Sequence, residues 1–497
     1  MKYLTKILFV LLALNSACKY EFPETRIEYS AGSIDVTRYV GIGDGFSGGF
    51  MDGSLYSNGQ NNSVASILAS QMTVIGLQDF QQPDISSANG YNIIESDESN
   101  QKGKWVYSFP NMTQSEPDRI LTEGEYPTTY SGDLSLPGNF AVPFARSFEL
   151  DDPALSANIY YDRFASDPGN SSILTDILIE NPSFFTLWIG MNDFLGYATQ
   201  GGTGNPDPPG DPSLIEEKDL TPVALFQTKI SSFLSELLEE PNRKGAILQL
   251  PMFDDLPFFY TYPYDFMLLS GTALGFAQSY YSSFNQAVSA HNVQYPDEKR
   301  PFIPFNDNGS TLYPQPLVIV DDSLSDAYYP DGITPLPKLR QLNEDEMILL
   351  SFPLDKMEFG YGSVDPVTQE YYLKDSQINE IRARIEAFNE VLEQEVNKYP
   401  GRLIFVPVSE LIHEIAETGK IDSWGRPASD EVLSYNGLPL EGTLGLNSIF
   451  SLDGLHFNPR GNALLVNQIL KAINEGFGSN LPLVDVNSYL GNTISGN

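Results

Sequence analysis

Asp453 and His456 stand three residues apart in the segment FSLDGLHFNPRG, just before a helical pattern that opens at Pro459. A histidine acting as a base near neutral pH needs an acidic partner to fix its tautomer and stabilise the imidazolium. Two such residues in one short turn meet that need. The plainer reading is a capping aspartate beside a chance surface histidine. The other two histidines have no comparable surroundings: His291 lies in a polar stretch and His413 within an amphipathic helix. Three scattered histidines argue against a His-rich zinc centre. No D-x-D-x-D-G loop marks a calcium site.

The elements that must position this pair follow an α/β rhythm. Tyr39 to Ile42 reads as a short buried strand running into the Gly-rich turn GDGFSGGF, residues 43–50. Val64, Ile67, Leu68 and Met72 then give one apolar helical face. Thr186 to Ile189 predicts a second strand, ending in Gly190-Met191-Asn192-Asp193, and Ala246 to Leu250 a third. Between them, Thr221 and Pro222 read as the cap and first position of a helix reaching roughly Leu238. From Gln377 another amphipathic helix carries Ile378, Ile381, Ile385, Phe388, Leu392 and Val396 on one face. A strand at Leu403 to Val406, a helix at Glu410 to Thr418 and the final helix after Pro459 complete the pattern. Strand, tight turn and helix in sequence predict a parallel sheet with functional groups at the strands' C-terminal ends. Residues 252–375 interrupt the rhythm. Phe258, Phe259, Tyr260, Tyr262, Tyr264 and Phe266 lie close together there, either lining a cleft or forming satellite core, and helices are expected within so long a segment.

Several blocks together resemble the SGNH or GDSL-type ester hydrolases, and most nearly their large lipoprotein members in Bacteroidetes. YVGIGDGFSGGFMDG (39–53) resembles the family's first block, FAVPFA (140–145) the second, LWIGMND (187–193) the third and LDGLHFNPRG (452–461) the fifth. The resemblance spans about residues 36–475. It implies a three-layer α/β/α sandwich with a mostly parallel, flavodoxin-like sheet, and a single domain over 36–490 elaborated at about 252–375. It also implies ester hydrolysis on a lipid, short-chain ester or carbohydrate acyl group, with no organic cofactor or catalytic metal. Asp453 and His456 take the catalytic acid–base positions and Asn192 that of an oxyanion donor.

Two positions depart from the family pattern. The first block normally reads Gly-Asp-Ser or Gly-Asn-Ser, and its serine attacks the carbonyl; here the nucleophile position is Gly45. The second block normally supplies a glycine N–H to the oxyanion, and the matching residue is Phe144, whose N–H still serves if the backbone path is kept. A serine nucleophile divides acyl transfer into two easier steps, and Gly45 has no side chain to acylate. Three readings stay open. Ser47 substitutes, although it sits two residues further on, where capping is its ordinary job. Alternatively, His456 activates water directly while Asn192 stabilises the developing charge. In the third, catalysis is lost and the chain is a pseudoenzyme that binds an acylated glycan or lipid.

The chain opens with Lys2, Lys6 and an apolar run from Ile7 to Leu14, closed by the small residues Ser16 and Ala17. This is the pattern of a secretion signal over residues 1–17, too short to cross a bilayer as a mature helix. The sole cysteine, Cys18, follows directly. The segment resembles a bacterial lipoprotein signal, although Asn15 stands where leucine is usual, and so implies lipidation at Cys18 and a tether over 18–35. The expected destination is the outer membrane, facing the periplasm or the cell surface. Removing residues 1–17 takes away two lysines and no acid, moving the formal charge from −37 to −39. Such a surface repels nucleic acid and anionic membranes. It leaves neutral ester, lipid or glycan ligands open.

Overall fold

The computed structural model describes residues 28–109, 118–134, 137–307, 312–429 and 433–494. The signal segment, Cys18 and the first part of the tether lie outside them. Five short strands form one parallel sheet: β1 (Tyr39–Gly43), β2 (Asn139–Ala141), β3 (Phe184–Trp188), β4 (Lys244–Leu248) and β5 (Leu403–Val406). Their spatial order is β2-β1-β3-β4-β5. The order reverses direction between β1 and β3, which is where open α/β sheets of this topology leave a crevice beyond the strand ends. The fold is therefore mixed α/β around a parallel sheet. β2 escaped the pattern reading because three residues are too few to display a period.

The strands are buried, so each reads as an apolar run and alternation is weak. The register sets Gly41, Thr186, Ala246 and Ile404 side by side. Helix α1 (Val64–Met72) packs on this row closely, because a Cβ on Gly41 would lie 2.5 Å from the Cβ of Ala65. The last helix of the sheet region shares that face: its Phe477 ring meets Phe184 edge-on at 6.0 Å. The same body also includes α2 (Asn192–Thr199), α3 (Val223–Leu237), α4 (Asp375–Lys398) and α5 (Ser409–Glu417), that last helix, α6 (Pro459–Phe477), and shorter ones such as Ile173–Glu180. α3 and α4 pack through the stacked rings of Phe226 and Phe388, 4.1 Å apart. The Asn389 amide of α4 satisfies both the N–H and the carbonyl of Leu250 just beyond β4. One start differs from expectation: α3 begins at Val223, with Pro222 as its cap residue and no side-chain cap, so Thr221 does not cap it.

The 252–375 region contains two helices, Gly271–Tyr280 and Ser282–Gln294, with short antiparallel pairings around them. Most of its buried apolar residues from Met267 to Tyr372 form a second cluster, although Leu349 joins the main one, and Tyr262, Tyr264 and Phe266 pack on the second. Phe253, Phe258 and Phe259 belong to the main cluster instead. The aromatic run thus divides between two cores. No helix among the described residues is long and apolar enough to cross a membrane.

Candidate functional site

The site forms where β1, β2 and β3 end. β1 runs into Asp44 and a single helical turn, Gly45–Gly48, and the Asp44 carboxylate caps that turn by accepting from the Phe46 N–H at 3.1 Å. The capping expected of Ser47 is therefore done by Asp44. Its second oxygen accepts from the Met191 N–H at 3.3 Å, tying the end of β1 to the end of β3. Burial pushes the Asp44 carboxyl up to about 7, against the Phe46 N–H and the nearby His456, which favour its charge. The neighbouring Asp193 is also fully buried and accepts from both the N–H and the hydroxyl of Ser147, fixing the segment after β2.

The loop before α6 brings in the acid–base pair. Asn458 caps α6 by accepting from the Gly461 N–H, with Pro459 at the first helical position. The Ser451 N–H donates to the His456 carbonyl, closing the loop. Within it, His456 Nδ1 lies 3.0 Å from Asp453 Oδ2. The Asp453 carboxylate also accepts from the N–H groups of Gly53, Leu455 and His456 and from the Ser451 hydroxyl. Burial alone would raise its pKa, but the His456 imidazole and these donors hold the carboxyl well below the ordinary range. This is the arrangement that leaves Nε2 as the free, basic end of the ring.

Nε2 faces Gly45. A Cβ built on Gly45 would lie 3.0 Å from Nε2 and 3.1 Å from the Cβ of Phe50. The imidazole sits between two rings, Phe46 at 4.4 Å and Phe50 at 4.9 Å between centroids. Among the described residues Nε2 has no protein hydrogen-bond partner. Ser47 is buried and turned toward β1, its hydroxyl oxygen 3.1 Å from the point where a Cβ on Gly43 would sit. No hydrogen bond joins it to His456 among the described residues.

Phe144 occupies left-handed backbone at φ +67°, a conformation that favours glycine and costs other residues about 1–2 kcal/mol. The backbone at this position is thus the one a glycine would adopt. Neither the Gly45 nor the Phe144 N–H has a protein acceptor among the described residues. Asn192, half-buried at the start of α2, donates one amide hydrogen to the Ala145 carbonyl at 3.2 Å, beside Phe144. The Phe144 ring meets Phe50 edge-on at 5.2 Å, so a chain of rings runs from Phe144 through Phe50 to His456.

Sequence reasoning placed Gly45, Asn192, Phe144, Asp453 and His456 around one sheet end, and the structure gathers them there. It missed the flanking rings: Phe46 lies in the turn and Phe50 beyond its left-handed end at Gly49, and the fold brings both to His456. It also missed a second histidine–carboxylate pair: His413 Nδ1 lies 2.8 Å from Asp255 Oδ1, so His413 does have an acidic partner. That hydrogen bond raises the His413 pKa. His291 is buried in its helix, with Nε2 3.0 Å from the Glu298 carbonyl. Among the described residues no group of three or more His, Cys, Asp or Glu is placed to hold a metal. No family model, curated protein or solved structure matches the chain.

Proposed function

We propose that this chain is an SGNH/GDSL-type ester-hydrolase scaffold, a three-layer α/β/α sandwich, in which the covalent serine route is closed. The observation that carries the reading is His456 Nε2, held by Asp453 and directed at Gly45, where the reacting group would begin. The ligand is a carboxylic ester of a lipid, a short-chain alcohol or a sugar. Its carbonyl oxygen would be met by donors from Gly45, Phe144 and Asn192, the kind of set that stabilises a developing oxyanion. With no side chain at Gly45, the chemistry left to the site is water activated by His456. The attacking water gives its proton to Nε2, the acyl–oxygen bond breaks, and the imidazolium returns the proton to the leaving alcohol. Loss of the covalent intermediate makes such turnover slow.

A second reading, binding of an acylated glycan or lipid without turnover, is favoured by the Phe50 ring packed beside His456 and the Phe144 ring packed on Phe50. Either reading includes export and a lipid anchor at Cys18, which incorporation of radiolabelled palmitate into the native chain but not a Cys18→Ala variant would test. Hydrolysis of short-chain and acetylated-sugar esters by the native chain and His456→Ala separates the two. Turnover lost in His456→Ala supports direct water attack, and no turnover in either supports binding alone.

A further inference from the structure

On the other side of the Asp453 loop lies a second, unassigned cavity of about 320 Å³. Its wall comes from Met51 to Asn58, the hairpin strand Lys102–Ser108, the Leu452–Pro459 segment and the chain near Gly491. In a protein with 65 acidic and 28 basic residues, three cations collect around this one space, Lys104 in its lining near the Asp52 carboxylate and Arg119 and Arg460 behind the wall. Lys104 lines it, with Nζ 4.1 Å over the Tyr56 ring and one hydrogen given to the Ala88 carbonyl. Arg119 lies 4.5 Å over the lining Trp105 and donates to the Leu452 carbonyl. Arg460 packs against Gly491, where a Cβ would lie 2.8 Å from Nη1. Arg460 as a whole is 8 % exposed, and its Nε and Nη1 are buried without a hydrogen-bond partner.

Burying a cation without a counter-charge costs several kcal/mol, and one partner of opposite sign offsets much of it. Lys104 and Asp52 offset one another in the lining, so the cavity takes its surplus of positive charge from the two guanidinium groups behind the wall. It also holds groups that suit hydroxyls: the Asp52 carboxylate, which accepts from Tyr56 and the Leu452 N–H, and the amides of Asn58 and Asn89. Trp105 and Met51 supply apolar surface.

We propose that this cavity binds a hydroxylated carboxylate of sugar size, of the uronic-acid class, with Lys104 and the field of Arg460 and Arg119 meeting the carboxylate. Asp52 and the two asparagines take the hydroxyls. The site is separate from the cleft at Gly45 and does not depend on whether that cleft turns over an ester. Asp52 does bond the backbone at Leu452, and Gly53 bonds Asp453, so an occupant here abuts the loop that carries His456.

The test is calorimetric titration of the full chain at low salt with galacturonate, galactose and inorganic phosphate. Galacturonate is expected to bind at least about tenfold more tightly than galactose or phosphate, an increment of about 1.4 kcal/mol. Lys104→Ala is expected to weaken galacturonate by a similar factor while melting as the native chain does, and Asn89→Ala to weaken it less. Equal affinity for galactose removes the carboxylate half of the proposal, and equal affinity for phosphate removes the sugar half. Absence of galacturonate binding at millimolar concentration, or an unchanged Lys104→Ala affinity, overturns it.

Discussion

Nε2 of His456 lies 3.0 Å from the point at which a side chain on Gly45 would begin. The approach is tighter than ordinary van der Waals contact, so the imidazole has settled closer to the turn than a side chain there would permit. Both partners are fixed: Gly45 by the Asp44 cap, His456 by Asp453 and the rings of Phe46 and Phe50. A serine introduced at Gly45 would require His456 or Phe50 to give by a few tenths of an ångström.

Phe144→Gly is expected to leave stability nearly unchanged. The left-handed backbone stops costing about 1–2 kcal/mol, while the lost contact of a half-buried ring with Phe50 and Tyr160 costs about the same. Thermal melting of the variant checks this. A fall of more than about 3 kcal/mol would mean that the ring is a structural anchor.

Asp453→Asn is expected to cost about 2–3 kcal/mol at pH 7, because an amide NH₂ would oppose either the Gly53 N–H and the imidazole at one oxygen position or the Leu455 and His456 N–H groups at the other. The native carboxyl has a folded pKa below its unfolded one, so its stabilisation is complete above about pH 4. It is lost as pH falls through the folded value. The stability gap between native and variant, from urea midpoints, should therefore be full at pH 7 and shrink below pH 4.

Asp44 behaves oppositely. Its folded pKa, pushed up to about 7 by burial, exceeds the ordinary carboxylate value of 3.8, so the folded state holds the proton more tightly. Its contribution to stability declines as pH rises from about 4 to about 7. Asp44→Asn lacks this titration and should gain on the native chain between pH 5 and pH 8. Urea midpoints at the two pH values give the comparison, and a gap independent of pH would contradict it.

Much of the scaffold was legible because its signals are local. β1 and β5 and the helices α1, α4 and α6 follow apolar patterns, and Pro459 marks the start of α6. The site residues were legible through block spacing, since strand ends gather in this topology whatever lies between them. Other features depend on tertiary contact. β2 is three residues long, Asp44 outcompetes Ser47 for the cap, and His413 finds Asp255 from 158 residues away. The division of the Phe258–Phe266 run between two cores likewise follows from the chain's path, which composition does not encode.

The proposed function rests on the serine route being closed for want of a side chain at Gly45. Intact-mass measurement after treatment with a serine-directed fluorophosphonate tests it most directly, on the native chain, Gly45→Ser and Gly45→Ser combined with His456→Ala. The expected result is no adduct on the native chain, one adduct on Gly45→Ser, and loss of that adduct in the double variant. An adduct on the native chain at Ser47 would contradict it, and so would a folded Gly45→Ser that stays unlabelled.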